Sequence, residues 1–177
     1  MLVEKNILKT DLSYSDDKSK RYLLNIEWDK TKKKACIIML SAGRANGLFF
    51  DRTTNNVIEN LVESDYGSVD VLNLFSCLDE KVEDVGDSEN LQMIEQSAKN
   101  ADIVIFAAGT GRKADKRVQT RQKEVLATLK KYDKKLFCIA DDDGKKFYHP
   151  LCPKVKKWNL VKFDIEELTK KGYDYEY

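Results

Sequence analysis

Four short apolar runs constrain the fold of this chain most strongly. They are "ACIIML" (35–40), "VDVLNLFS" (69–76), "DIVIFAAG" (102–109) and "KLFCIA" (135–140). A continuous apolar run of this length predicts a strand that is covered on both faces, as in a parallel sheet. None approaches the roughly 20 residues that a membrane span needs.

Segments with helical spacing of apolar residues alternate with these runs. The first is capped by Asp51, Thr53 or Thr54, the second is capped by Asp87 or Ser88, and the third carries an apolar stripe over 118–132. Strands that alternate with helices predict a three-layer α/β/α sandwich with a central, mostly parallel four-stranded sheet. Residues 21–28 predict a further strand. A C-terminal extension, 160–177, should add a strand and a helix.

The length suits one domain that spans residues 1–177. Hydrophobic residues make up 42% and charged residues 34%, which is typical of a globular protein with a core. The N-terminus lacks the pattern of a secretory signal, so we expect a cytoplasmic protein. The four cysteines form no CxxC pair, which favours free thiols over disulfides or a metal site. We expect no metal and no cofactor.

The net charge is only +1, but the charge is divided along the chain. Residues 59–102 carry 12 acidic and 2 basic side chains, and residues 112–135 carry 10 basic and 3 acidic ones. Solvated helix faces explain this division. A basic rim that binds phosphates is the alternative.

In parallel sheets, ligands bind beyond the carboxyl ends of the strands. The loops near 41–51, 73–79, 109–117 and 141–152 should therefore meet at one rim. The last of these overlaps "KKFYHPLCPK" (145–154), which contains the only histidine and both prolines of the chain. This concentration predicts a ligand-facing loop.

Two polar residues at this rim are candidates for ligand recognition. Asn73, inside the apolar "VLNLF", would either bond a neighbouring loop or read the edge of a base. His149 precedes Pro150, which restricts its backbone. It is either a satisfied structural histidine or a donor to negative charge that develops on a leaving group.

The other candidates lie in two loops. Phe49 or Phe50 could stack on a flat ring, or both could pack under the loop. Asp51 could start a helix, orient a water molecule or bind a ribose hydroxyl. "GTGRK" (109–113) is only a weak phosphate-loop pattern, in which backbone amides from Gly109 with Arg112 and Lys113 could hold an anion.

Several of these motifs together resemble the DUF1643 family of bacteria and phages, over about residues 20–163. The motifs are "RY" (21–22), "IIML", Asp51-x-Thr53, "VLNLF", Asn90, "AAG" (107–109) and "HPL" (149–151).

That family in turn is distantly similar to the uracil-DNA glycosylase superfamily, and the resemblance implies a uracil-DNA-glycosylase-like fold. It also implies that Asn73 reads a base edge, that His149 faces its carbonyl, and that Phe49 or Phe50 stacks on it. Ser41 stands where glycosylases have the water-activating Asp or Asn, and it cannot replace a carboxylate as a general base. Ordinary uracil excision is therefore not expected.

Three functions follow from these patterns. The first is an enzyme that recognises a base or nucleotide and cleaves or transfers at an N-glycosidic bond, with Asp51 and His149 as catalytic residues. Its binding residues would be Ser41, Phe49, Phe50, Asn73, Gly109, Arg112 and Lys113. The second is a nucleotide or nucleic-acid binding module without catalysis. The third is a protein-interaction protein of phage or mobile-element origin.

Overall fold

The computed structural model describes residues 1–78, 87–108, 116–141, 143, 146–153, 155–162, 164–165 and 175–176. Its strands are β1 (Lys9–Tyr14), β2 (Arg21–Glu27), β3 (Lys33–Ser41), β4 (Tyr66–Phe75), β5 (Ile103–Phe106), β6 (Leu136–Ala140), β7 (Phe147–Tyr148), β8 (Asn159–Lys162) and β9 (Tyr175–Glu176). Its α-helices are α1 (Arg52–Glu63), α2 (Ser88–Asn100) and α3 (Lys116–Leu129), and a 3₁₀ helix (Lys130–Lys135) continues α3.

The strands of the described residues form one mixed sheet in the order β1-β2-β4-β3-β5-β6-β7-β9, and β8 also pairs with β6. The pairs β3–β4, β3–β5, β5–β6 and β7–β9 are parallel. The pairs β1–β2, β2–β4, β6–β7 and β6–β8 are antiparallel.

The predicted fold class is therefore wrong. The sheet is neither four-stranded nor mostly parallel, and the expectation of a uracil-DNA-glycosylase-like sandwich falls with it. The prediction was built on continuous apolar runs, which identify strands buried on both faces. An antiparallel flanking strand such as β1, "KTDLSY", has only exposed and half-buried side chains and lacks that signal.

Several local predictions are confirmed. The four apolar runs lie in or overlap β3, β4, β5 and β6, and residues 160–162 belong to β8. Asp51 caps α1, and its side chain accepts from the Thr54 amide. Asp87 caps α2 in the same way, by accepting from the Asn90 amide. The predicted final helix falls on residues outside the described ranges.

The core consists of two apolar clusters that share the sheet. Cys36 and Ile38 of β3 pack in a cluster with side chains of α2 and α3. Ile37 and Met39 pack in the other, with side chains of α1. Since successive side chains of a strand point to opposite faces, β3 contributes to both clusters. This burial fixes the end of β3, from which the site described below extends.

Gly67 holds the turn before β3 against the start of β4. Its carbonyl accepts from the amides of Trp28 and Asp29, both at 2.9 Å. A Cβ at Gly67 would lie 1.9 Å from the Asp29 carbonyl oxygen. Only glycine permits this close approach of two backbone segments.

Within the described ranges, no helix is both long enough and apolar enough to cross a membrane. All four cysteines are free thiols, and Cys36, Cys138 and Cys152 are buried.

Candidate functional site

A cavity of about 220 Å³ lies where β3 ends and α1 begins. Its wall combines polar side chains from β2, β3, α1 and the loop after β7. The lining residues are Arg21, Met39, Leu40, Ser41, Gly43, Asp51, Thr53, Thr54 and His149. We call this space the Asp51–His149 pocket. It contains three of the predicted site residues: Ser41, Asp51 and His149.

Asp51 has one carboxylate oxygen committed to the helix and the other facing the loop. Oδ1 accepts from the Thr54 amide at 2.8 Å and from the Thr54 hydroxyl at 2.9 Å. Oδ2 lies against Gly43, where an added Cβ would be 2.5 Å away. Among the described residues Oδ2 receives no hydrogen bond. It is therefore an acceptor that a ligand in the pocket can use.

His149 contributes an imidazole whose protonation state is set by its surroundings. Burial lowers the pKa of His149 below its ordinary value of 6.5, so the ring is neutral at pH 7. Nδ1 accepts from the Leu151 amide at 3.2 Å. The single proton of the neutral ring is therefore on Nε2, which makes Nε2–H a hydrogen-bond donor.

The His149 loop is held in place by α1. The side-chain amide of Asn56, on α1, donates to the Pro150 carbonyl. Within the loop, the Cys152 amide donates to the His149 carbonyl at 2.9 Å, and Cys152 is 3% exposed. Because α1 carries Asp51 at its start and binds this loop through Asn56, one helix positions both candidate catalytic residues.

Arg21 is a site residue that the sequence did not indicate. It begins β2 and is 3% exposed. Nη1 donates to the carbonyls of Gly43, at 3.3 Å, and Ala45, and Nη2 approaches Asn73 Oδ1 at 3.5 Å. Burial lowers the pKa of Arg21, and Asp51 and Tyr14 oppose that shift. The one sequence signal was its place in "RY", at the start of an apolar strand.

Asn73 is fully enclosed and does not line the pocket. It is 1% exposed. Its Nδ2 donates to the Ser41 carbonyl at 2.7 Å, and its Oδ1 faces Arg21. The side chain of Asn90 donates in turn to the Asn73 carbonyl at 3.0 Å. The side-chain amide of Asn73 thus links the end of β3 to Arg21. Such bonding is the structural role that we gave above as one of two alternatives for Asn73. Base reading by Asn73 stays a prediction.

The two predicted stacking residues differ in exposure. Phe50 packs at the edge of the apolar cluster that contains α1 side chains, whereas Phe49 is 59% exposed. Asn46 shapes the loop that carries them, because its Oδ1 accepts from the amides of Leu48 and Phe49. Gly109, Arg112 and Lys113 lie outside the described residues.

The loop from β3 to α1 is also attached to the edge of the sheet. The Thr10 hydroxyl, on β1, donates to the Gly47 carbonyl at 3.0 Å.

A family model described as a protein of unknown function, DUF1643, matches residues 21–151. This range begins at Arg21 and includes every residue that lines the pocket.

The chain belongs to the DUF1643 family. The predicted resemblance to that family is confirmed, whereas the more distant similarity to uracil-DNA glycosylases stays a hypothesis. No curated protein and no solved structure matches the chain. For this DUF1643 protein, the function must therefore be inferred from the pocket itself.

Proposed function

We propose that this DUF1643 protein binds a nucleobase or nucleotide in the Asp51–His149 pocket. The observation that carries the proposal is that a carboxylate oxygen without a hydrogen bond from the described residues and a neutral imidazole belong to the same cavity. A heterocycle or a sugar presents both O–H or N–H donors and carbonyl or ring-nitrogen acceptors. Asp51 Oδ2 suits the donors, and His149 Nε2–H suits the acceptors.

The size of the pocket limits how much of a ligand it can enclose. Cavities that bury a whole drug-sized ligand measure roughly 300–1,000 Å³, and this one measures about 220 Å³. It therefore accepts one part of a nucleotide, and the remainder lies outside. Phe49, which is exposed on the loop between β3 and α1, offers a flat ring on which the base can stack with one edge toward His149.

Hydrolysis of an N-glycosidic bond is the chemistry that these two residues suit. Asp51 Oδ2 would take a proton from a water molecule as the water oxygen attacks the anomeric carbon. The bond from that carbon to the base nitrogen would break, and its electron pair would go to the base. His149 Nε2–H would donate to the base as negative charge develops on it. A binding protein without catalysis would use the same contacts and stop before the bond breaks.

Thermal unfolding with a panel of ligands tests the binding. The panel consists of nucleobases, nucleosides, nucleoside 5′-monophosphates and short oligonucleotides. A ligand at about 100 times its dissociation constant should add roughly 2.7 kcal/mol to the free energy of unfolding. His149→Gln and Asp51→Asn should reduce that gain for nucleobases and nucleosides, and Asn55→Ala, on the exposed face of α1, should leave it unchanged.

Chromatography of the same mixtures tests the chemistry, because hydrolysis releases free base. Base release by the wild-type protein that is lost in Asp51→Asn supports the hydrolase. Binding without release supports the non-catalytic module. A panel in which no compound shifts the unfolding temperature contradicts the proposal.

A further inference from the structure

Arg21 is a buried arginine that forms no ion pair among the described residues, although Asp51 of the same pocket acts on its charge from a greater distance. A buried arginine cannot give up its proton, and an uncompensated buried charge lowers stability. Arg21 is 3% exposed, and its hydrogen-bond acceptors among the described residues are two backbone carbonyls and one amide oxygen. No carboxylate of the described residues lies within ion-pair distance of it, and its Nε has no hydrogen-bond partner there.

Arg121 shows what the same residue type does elsewhere in the described structure. It is 2% exposed, and its Nη1 lies 2.7 Å from Glu124 Oε2. Its Nε donates to the Leu74 carbonyl at 3.0 Å. This buried arginine therefore has both a counter-charge and a partner for Nε. Because Arg21 lines a cavity, a ligand can supply the ion pair that Arg21 lacks among the described residues.

The start of α1 adds to the positive character of the same cavity. Thr53 and Thr54, from its first turn, line the wall. The amides of a first turn have no partners within a helix, and they carry the positive end of the helix dipole. Asp51 caps Thr54, and it is the one acidic side chain of the lining.

We propose that Arg21 binds a phosphate group in the Asp51–His149 pocket. This inference rests on the proposed function, because the phosphate is assigned to the nucleotide. It specifies the ligand as a nucleoside phosphate, whose phosphate lies beside Arg21. A guanidinium matches the geometry of phosphate oxygens with paired N–H donors.

Isothermal titration calorimetry tests this with three probes: a nucleoside, its 5′-monophosphate and inorganic phosphate. The monophosphate should bind more tightly than the nucleoside. Arg21→Gln should weaken monophosphate binding roughly tenfold or more, and by more than it weakens nucleoside binding. Arg117→Gln, which removes a positive charge from the exposed start of α3, is the matched control and should not change binding.

A second variant keeps the test valid if Arg21→Gln does not fold. Asp51→Asn preserves the helix cap but removes the opposing negative charge, so it should tighten binding of inorganic phosphate. Unchanged or weaker phosphate binding in Asp51→Asn contradicts the assignment of the phosphate to this pocket.

The outcomes separate the two proposals. Equal binding of nucleoside and monophosphate overturns the role of Arg21 and leaves nucleotide binding in place. If inorganic phosphate and the monophosphate bind equally tightly and Arg21→Gln loses this binding, the result supports Arg21 as a phosphate-binding residue. It also overturns the proposal that the ligand is a nucleotide. No binding of any of the three probes overturns both.

Discussion

Asn73→Ala should lower the free energy of unfolding by about 2–3 kcal/mol. The substitution removes the hydrogen bond from Nδ2 to the Ser41 carbonyl, at 2.7 Å, which contributes about 1 kcal/mol. It also takes an acceptor from the buried Arg21 guanidinium, whose Nη2 lies 3.5 Å from Asn73 Oδ1. A charged donor deprived of an acceptor adds about 1–2 kcal/mol to the loss.

Urea unfolding followed by circular dichroism measures this difference, with the slope of the transition as a check on two-state behaviour. Asn55→Ala is the matched control, because Asn55 is exposed on α1 and its loss should change stability by about 0.5 kcal/mol or less. If Asn73→Ala loses no more than Asn55→Ala, Asn73 does not hold the end of β3 to Arg21. The structural account of this residue would then be wrong.

Three further predictions follow from single contacts. Asp51→Ala should lower the free energy of unfolding by about 1 kcal/mol, because the helix cap is lost. Asp51→Asn keeps a capping side chain and should lower it by only a few tenths of a kcal/mol. Equal losses for the two variants in chemical unfolding would contradict the capping role. Gly67→Ala should lower the free energy of unfolding by about 3 kcal/mol, because the new Cβ meets the Asp29 carbonyl. An unfolding midpoint close to that of the wild type would contradict this prediction and show that the turn can relax. Burial lowers the pKa of His149, so around and below pH 6.5 the unfolded chain binds more protons than the folded one. The free energy of unfolding should therefore decrease as the pH is lowered from 7, until the pH is below the pKa of His149 in the folded state. His149→Gln should remove this part of the pH dependence, and an unchanged pH profile of that variant would refute the assignment.

The sequence predicted local features that depend on neighbouring residues. Asp51 and Asp87 were among the expected caps because a short acidic side chain before an apolar helical pattern bonds the amide three residues later. The strands β3, β4, β5 and β6 were visible as apolar runs because both of their faces are buried. Such signals lie within a few residues of the feature that they specify.

Long-range pairing was not predictable in the same way. The antiparallel partners of β4 and β6 carry weaker apolar patterns, and pattern alone does not state which strand lies beside which. Asn73 was identified as unusual, but its partner Ser41 is 32 residues away. Arg21 was overlooked as a site residue because a charge before an apolar strand is ordinarily exposed; its burial depends on the carbonyls of Gly43 and Ala45.

His149 makes the central claim directly measurable, because it is the only histidine of the chain. A two-dimensional NMR spectrum that correlates imidazole nitrogens and carbon-bound protons, on protein without a histidine tag, shows one ring. At pH 7 we expect a neutral ring protonated on Nε2, whose signals shift during titration with the nucleoside monophosphates, and with much smaller shifts in Arg21→Gln. A ring that is unaffected by every nucleoside monophosphate would contradict the claim that the Asp51–His149 pocket is a nucleotide site.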